Sequence, residues 1–251
     1  MKRRRSGIFI SISLIIIVLL GTIYFLQTWP RKAREAGFLE KLKLVKAFPF
    51  NEDTALKEWE EKIFKGKVVY RVEKGGDLSY VKARSDGAAS ALYYKVKMDA
   101  KRMHPVIRWK WKVGKFPAKS GAESLEAENE DDFAARVYVI FPTAFLLNSR
   151  VLEYIWAEKL PDGASGTSPY SRKIKLMVIQ SGADNDGEWV SEERDILADY
   201  NLMFGRPPDR NIGAIAFMTN TEHTGTSAEA MYDDIELGYK ENDLSSTGGG
   251  Q

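Results

Sequence analysis

The chain has 251 residues, of which 44% are hydrophobic, so it is long enough for one domain of ordinary size with a packed core. It contains no cysteine, which excludes disulfides, thiolate zinc sites and cysteine nucleophiles. The net charge is only +2 but is unevenly placed: residues 1–61 carry +4, residues 62–119 carry +12 and residues 120–251 carry −14. Such asymmetry indicates either a charged partner or two halves that neutralise each other within one fold, and the second is the simpler expectation.

The N-terminus predicts a membrane anchor. The basic stretch MKRRR precedes 19 uncharged residues, Ile8 to Leu26, which as a helix would be about 28 Å long, close to the thickness of a hydrocarbon core. No small-residue cleavage site follows, which favours an uncleaved signal anchor over a signal peptide. The basic residues favour a cytoplasmic N-terminus. We expect residues 1–30 to be a cytoplasmic stub and one span of the inner membrane, with the rest of the chain on the periplasmic or other extracytoplasmic side.

The residues after the anchor show helical spacing. In residues 31–46 the apolar Phe38, Leu42 and Val45 fall on one helical stripe, and in residues 53–64 Leu56, Trp59 and Ile63 do the same. The sequence therefore predicts a juxtamembrane helical linker over residues 31–60.

From residue 67 the hydrophobic period changes to two, which is typical of half-buried strands. The turn signals KGGD, SDG, PDG, NDG and RPPD separate several of these segments, and a short helix is expected at 195–204. Many short strands with little helix between them predict an all-β, antiparallel sandwich of jelly-roll-like and carbohydrate-binding-module-like form over residues 61–240, followed by a disordered tail at 241–251. The predicted strands are 67–73, 78–84, 89–98, 105–113, 134–141, 174–180, 188–194, 212–218 and 234–239.

The segment HPVIRWKWKV shows the clearest alternation. Trp109 and Trp111 share one face with other apolar residues and are expected in the core, whereas Arg108, Lys110 and Lys112 share the other face. The same split recurs in Tyr80, Lys82 and Arg84 and in Tyr93, Lys95 and Lys97. If these strands share a sheet, its open face is basic with interleaved tyrosines, which suits an anionic chain or is a solvated face that resists edge pairing.

The segment DDFAARVYVIF places Arg136 inside a strand that two aspartates precede. In an extended strand, residues four apart are about 13 Å apart, so we expect Asp131 and Asp132 to be too distant for a direct bond to Arg136. We expect the guanidinium to meet an acid from outside its own strand, with Glu193, Asp195 and Asp199 as candidates, or to meet a ligand.

The polar loop MTNTEHTGTSAEAMYDD carries Glu222 and His223, which are able to ligate a metal or exchange protons, or to hydrogen-bond within a turn. The stretch SGADNDGEWVSEE imitates a calcium loop, but the position that would provide its first ligand is Gly182, so a hairpin is expected there instead. Nucleotide-binding, zinc-protease and serine-hydrolase motifs are absent from the sequence. We expect no cofactor and no metal.

Five segments in chain order resemble the bacterial domain-of-unknown-function family 3047: HPVIRWKWKV, DDFAARVYVIF, YIWA, SGADNDGEWVSEERDILADYNLMFG and IGAIAFMTNTEHTG with YDDIEL. The resemblance covers roughly residues 60–239 and implies an exported or membrane-attached bacterial protein. It implies no reaction. The loop that in this family often reads T-D-T-D-N-T is Thr219 to Thr224 here, with Asn220 at the position of the first acid.

These observations predict a membrane-anchored, exported protein that binds a carbohydrate or a cell-envelope polymer, with an anionic glycan and the lipid bilayer as partners and no nucleic acid. A glycan-acting hydrolase or lyase with paired carboxylates is an alternative, and a structural partner in an envelope assembly is another. Exposed aromatic and charged side chains provide the candidate binding residues. These are Asp132, Arg136, Tyr138, Trp156, Arg194, Asp199, Glu222 and His223.

Overall fold

A computed structural model describes residues 41–76, 78–101, 103–143, 149–182 and 187–240. The predicted membrane span at 8–26 and the predicted disordered tail at 241–251 lie outside these residues. Within the part described, no helix has the length and apolar character needed to cross a membrane. The described chain forms two sheets and one α-helix.

The two sheets are named here sheet A and sheet B. Sheet A has the order β11-β6-β13-β4-β3, with β1 also paired to β13, and sheet B has the order β2-β5-β12-β7-β8-β10-β9. Sheet A contains β1 (Leu42–Phe48), β3 (Val69–Gly75), β4 (Leu78–Asp86), β6 (Pro105–Lys115), β11 (Val190–Asp195) and β13 (Ser227–Lys240). Sheet B contains β2 (Glu60–Lys65), β5 (Ala89–Met98), β7 (Ala135–Phe141), β8 (Arg150–Ala157), β9 (Ser165–Thr167), β10 (Ile174–Ser181) and β12 (Ile212–Asn220).

The core between the sheets confirms the alternation of β6. Trp109 and Trp111 are both 0% exposed, and their rings meet edge to face at 5.3 Å. Each also packs on an aromatic ring from β8, Trp109 on Tyr154 at 5.4 Å and Trp111 on Trp156 at 5.6 Å. The inward faces of both sheets therefore meet through large aromatic side chains, and the all-β sandwich that the sequence predicts is correct.

The helix α1 (Ile196–Phe204) lies where the sequence predicts it. The Asp195 side chain accepts a hydrogen bond from the backbone N–H of Ala198, which satisfies one of the free donors at the helix N-terminus. Gly205 ends the helix with a φ of 67°, a left-handed conformation that glycine adopts without strain.

Two expectations about secondary structure are wrong. The predicted helices at 31–46 and 53–64 give way, where the structure describes them, to β1, a 3₁₀ turn at Ala55–Glu58 and β2. The sandwich is antiparallel as predicted, except that β8 and β10 pair in parallel. β1 pairs with β13 and β2 pairs with β5, which are distant in sequence, so local spacing is a poor guide to these two segments.

The predicted sheet face with basic residues on all three strands does not exist, because β5 lies in sheet B while β4 and β6 lie in sheet A. On sheet A the acidic strands β11 and β13 flank β6, and their carboxylates pair with the basic side chains. Lys82 lies 3.3 Å from Glu229, and Lys110 lies 2.6 Å from Asp234. The positive and negative halves of the sequence therefore neutralise each other within one sheet.

Candidate functional site

The candidate site lies on the outer face of sheet B, where β7 begins and β12 ends. Val137 and Val139 of β7 point into the core, so the alternation places Arg136 and Tyr138 on the opposite face. A second apolar cluster covers the neighbouring strands β8 and β10 on that face. It contains Leu125, Phe133, Ile155, Ala157, Leu176 and Val178. The polar group beside it is named here the rim site, and it contains Asp131, Asp132, Arg136, Tyr138, Glu153, Tyr170, Asn220, Glu222 and His223.

Arg136 is the buried cation of the rim site, with only 3% of its surface exposed. Its guanidinium forms an ion pair with the carboxylate of Asp131, and its Nε lies 3.1 Å from Oε1 of Glu153 on β8. Glu153 is the expected acid from outside the strand, but the three acids named from the sequence are not its partners. The exclusion of Asp131 is wrong, because Asp131 directly follows a 3₁₀ turn and does not belong to the extended strand.

The ring of Phe133 lies close to two cations. Arg136 stands 4.8 Å from the ring centroid, and the Lys119 ammonium stands 3.9 Å from it. Lys119 also pairs with Glu123, whose carboxylate accepts the backbone N–H groups of Lys159 and Leu160. Cation–π contacts of this kind strengthen when water is excluded. They fix the segment before β7 against the outer face and so position Asp131 and Asp132.

Glu153 is buried beside the single guanidinium that it shares with Asp131. Burial raises the pKa of Glu153 to about 7; Arg136 opposes this rise and the Asp131 carboxylate adds to it. Burial also raises the pKa of Tyr138 well above its ordinary value, so its hydroxyl keeps its proton. The hydroxyl of Tyr138 accepts a hydrogen bond from Arg136 at 3.4 Å. The buried part of the site therefore contains two acids and one cation, and the pKa of one of these acids, Glu153, lies close to neutral pH.

Asp132 clamps the loop after β12. It is fully buried, and its Oδ2 accepts the backbone N–H groups of His223 at 3.1 Å and Thr224 at 2.6 Å. Its Oδ1 accepts from the side-chain amide of Asn220 at 2.9 Å. A carboxylate with several N–H donors is a strong local restraint. The role of Asp132 in this structure is to hold the loop that carries Glu222 and His223.

Asn220 joins the clamp to Glu222. Its Nδ2 has three acceptors at 2.8–2.9 Å: the backbone oxygen of Asp131, Oδ1 of Asp132 and Oε2 of Glu222. An amide group has only two hydrogens, so it cannot serve all three at full strength. Burial raises the pKa of Glu222, and the nearby Asp132 carboxylate also raises it. Glu222 is therefore a partly desolvated acid on a fixed loop.

Tyr170 supplies the exposed part of the rim site. Tyr170 is 51% exposed, and its hydroxyl lies 2.7 Å from Nε2 of His223, with the two rings stacked at 5.9 Å. The same Nε2 lies 3.4 Å from Oε1 of Glu222. Burial of the hydroxyl end and nearby carboxylates raise the pKa of Tyr170 to about 12. Sequence analysis missed Tyr170, because it lies in an ordinary polar turn between β9 and β10, with no pattern linking it to the loop after β12.

Asp132, Glu222 and His223 each offer a ligand atom, and these atoms lie within 4.8 Å of one another, so the three residues could hold a metal ion. Both oxygens of Asp132 already accept N–H groups, however, and Glu222 accepts from Asn220. A bound cation would therefore compete with these N–H donors for the same carboxylate oxygens.

Five of the eight predicted site residues belong to the rim site, and three lie elsewhere. Trp156 is 1% exposed and packs on Trp111, so it does not present its ring to a ligand. Arg194 pairs with Asp199 at the start of α1, where Asp199 also accepts the hydroxyl of Tyr154. That pair lies at the inward side of β11 and ties the helix to the sandwich.

Solved structures similar to this chain include carbohydrate-binding modules and an enzyme domain. The family 11 carbohydrate-binding module of a cellulosomal cellulase of Clostridium thermocellum is 12% identical, with coverage of 79% of this chain and 95% of that chain and a TM-score of 0.40. The xyloglucanase domain of a type three effector from Sinorhizobium fredii is 10% identical, with coverage of 72% and 93% and a TM-score of 0.43. A carbohydrate-binding module that recognises mannan is 7% identical, with coverage of 79% and 98% and a TM-score of 0.37.

With TM-scores below 0.5, these likenesses carry no conclusion about a ligand. No curated protein matches the chain. The family model described as protein of unknown function DUF3047 matches residues 57–236, which include every residue of the rim site. The chain therefore belongs to the DUF3047 family, as the resemblance of its five segments predicts.

Proposed function

We propose that this chain is a membrane-anchored, exported carbohydrate-binding protein and that the rim site holds an uncharged sugar. The observation that carries the proposal is the exposed ring of Tyr170, fixed by His223 at the edge of a buried polar network. Sugar sites commonly combine an aromatic surface, which packs on the C–H face of the ring, with a few fixed polar groups that orient the hydroxyls.

The polar groups of the rim site suit hydroxyls. Glu222 and His223 stand next to Tyr170, and the clamp by Asp132 fixes the loop that carries both. A fixed acceptor loses little conformational freedom when a ligand binds, so more of the interaction energy appears as affinity. The site therefore offers one aromatic surface and an array of pre-positioned hydrogen-bond groups.

The charge balance of the rim site favours an uncharged sugar over an anionic one. Arg136 is the buried cation, and it is already paired with both Asp131 and Glu153. Asp132 and Glu222 add further carboxyl groups. Of the two lysines beside the site, Lys119 is paired with Glu123, and Lys65 donates to the backbone oxygen of Glu222 at 2.9 Å. An acidic sugar would meet like charge here, which is unfavourable in a partly desolvated site. The proposal thus departs from the anionic glycan expected from the sequence.

The proposed anchor rests on the uncharged stretch from Ile8 to Leu26 and the basic residues before it. The full-length protein should remain in the membrane fraction after carbonate extraction, and protease should reach residues 41–240 only from the extracytoplasmic side. Release into the soluble fraction would contradict the anchor. Protection of residues 41–240 from protease in cells with a permeabilised outer membrane would contradict its orientation.

A screen of detergent-solubilised full-length protein against immobilised neutral and uronate oligosaccharides tests the ligand. We expect binding to neutral oligosaccharides and loss of it in Tyr170→Ala. The control is Leu202→Ala, which removes another exposed side chain, 73% exposed, from helix α1. Selective binding of uronates, or equal binding by Tyr170→Ala and the wild type, would refute the proposal.

A glycan-cleaving enzyme is a second candidate, and the raised pKa of Glu222 favours it, since burial that raises the pKa of a carboxyl group makes it better suited to act as a general acid. Asp132 is a weak candidate for the second carboxylate, because loop amides occupy both its oxygens. Reducing ends or unsaturated products released from a bound oligosaccharide by the wild type, and not by Glu222→Gln, would establish cleavage.

A further inference from the structure

Two aromatic rings meet across the outer face of sheet A. Tyr80 belongs to β4 and Trp189 directly precedes β11, and their ring centroids are 5.5 Å apart with an interplanar angle of 64°. The strand order places β13 and β6 between these two strands. Strands lie about 4.8 Å apart, so the two backbones are roughly 14 Å apart. The rings therefore extend over the outward side chains of β6 and β13.

A β-bulge in β13 points two aspartates toward this place. Tyr232 and Ile235 both face the core, and two residues, Asp233 and Asp234, stand between them where regular alternation allows one. The pairing with β6 shifts at this point, and Asp234 has a φ of 45°, a left-handed conformation uncommon for a residue with a side chain. Bulges re-aim side chains and occur often beside binding sites.

One of these carboxylates has an unsatisfied oxygen. Asp233 is only 4% exposed, and among the described residues its Oδ1 has no hydrogen-bond partner. The register places Asp233 opposite Lys110, but the Lys110 ammonium lies 2.6 Å from Asp234 instead. Burial raises the pKa of Asp233 to about 6, although the backbone N–H of Asp234 and the nearby Lys110 ammonium oppose this rise. A buried acceptor without a donor is costly and calls for an explanation.

We propose that this surface is a second ligand site, which takes one uncharged sugar ring stacked on Trp189 with a hydroxyl donating to Asp233. A ligand that satisfies Asp233 must bring a hydrogen-bond donor. Lys110 and Lys112 face outward on β6, the strand next to Asp233, and their charge disfavours a cationic donor. A neutral hydroxyl therefore fits better. An indole ring beside the acceptor provides the apolar surface that a sugar ring packs on. When the sugar binds, the rings of Trp189 and Tyr80 move apart and Asp233 becomes accessible.

This site is on the opposite sheet from the rim site and shares no residue with it, so the two proposals fail separately. The experiment titrates detergent-solubilised full-length protein with cellotetraose, maltotetraose and tetra-N-acetylchitotetraose and records tryptophan fluorescence and heat. The variants are Tyr170→Ala, Trp189→Ala and the double variant, with Leu202→Ala as the control and Trp189→Phe as a milder change that keeps an aromatic ring.

We expect at least one of the three sugars to give a saturable tryptophan signal in Tyr170→Ala, which Trp189→Ala and the double variant lack. Trp189→Phe should retain binding with a dissociation constant raised roughly tenfold or less. Asp233→Asn should raise the melting temperature, because a buried ionised carboxylate is removed, and weaken this binding at least about fivefold. Identical titrations of the wild type and Trp189→Ala with all three sugars would overturn the second site and leave the rim site standing. Asp233→Asn with unchanged binding would also overturn it.

Discussion

The outer faces of the two sheets handle charge in different ways. On sheet A, several lysines and arginines of β4 and β6 pair near solvent with acids of β13, as Lys82 does with Glu229, although Arg108 is buried beside Glu193 of β11. On sheet B, Arg136 of β7 and Glu153 of β8 are buried, and Arg136 is shared between Asp131 and Glu153. Both faces arise from the same alternation of side chains along a strand. The difference is what lies over them.

Whether a chain segment shields a charged side chain from water decides how much that side chain matters to stability. The segment before β7 carries Phe133 onto sheet B, where it packs in the second apolar cluster and against Arg136. Ion pairs in such a place are desolvated, so each partner becomes indispensable to the other even if the pair adds little net stability. Exposed pairs of the kind on sheet A contribute little. The comparison indicates that a buried polar network, whose members depend on one another, is a better candidate for a functional site than exposed ion pairs.

The largest expected effect is at Arg136. Arg136→Met should lower the free energy of unfolding by roughly 3–5 kcal/mol, because it leaves Asp131 and Glu153 buried without a cation. Arg136→Lys should recover only part of this, since an ammonium cannot reach both acids as a guanidinium does. Urea unfolding at neutral pH measures both. Loss of less than about 1 kcal/mol in Arg136→Met would place the pair in the same class as those of sheet A.

The pH dependence of stability should separate Glu153 from the exposed acids. Its pKa is raised to about 7 in the folded protein from an ordinary 4.5, so the folded state holds a proton that the unfolded state has lost between these values. Stability should therefore fall as pH rises from 4.5 to 7, by about 3 kcal/mol from this group, and stay level above. The difference between the wild type and Glu153→Gln isolates the contribution. Parallel pH profiles of the two proteins would show that Glu153 titrates normally.

A smaller loss is expected at the loop clamp. Asp132→Ala leaves the N–H groups of His223 and Thr224 without their acceptor and should cost about 2 kcal/mol. Hydrogen exchange of these two amides should accelerate relative to the amides of β12. Unchanged exchange would mean that the loop holds its shape without Asp132, and the pre-positioning of Glu222 and His223 would need another cause.

The smallest effect is expected on sheet A. Lys82→Met removes one partner of Glu229 and should change stability by less than about 1 kcal/mol, with the difference vanishing at high salt. Thermal melts at low and high salt measure it. A loss comparable to that of Arg136→Met would end the distinction between the two faces.

The sequence was a good guide wherever the structure depends on local alternation. The faces of Trp109 and Trp111, the helix capped by Asp195 and all nine predicted strands follow from it. It failed for β1 and β2, which pair with the distant strands β13 and β5, and it also missed β8 and β9. For the rim site, the sequence pointed to Asp132, Arg136, Tyr138, Glu222 and His223. It gave no signal for Tyr170 or Glu153, because only the folded chain brings Tyr170 to His223 and Glu153 to Arg136.

Calorimetric titration with a neutral oligosaccharide selected by the array screen tests the rim site most directly, using the wild type, Tyr170→Ala and Leu202→Ala in parallel. The account predicts that Tyr170→Ala weakens or abolishes binding at one site, by about tenfold or more, while Leu202→Ala binds as the wild type does. Wild-type affinity and stoichiometry in Tyr170→Ala, with its fold intact by circular dichroism, would contradict the claim that the rim site binds sugar.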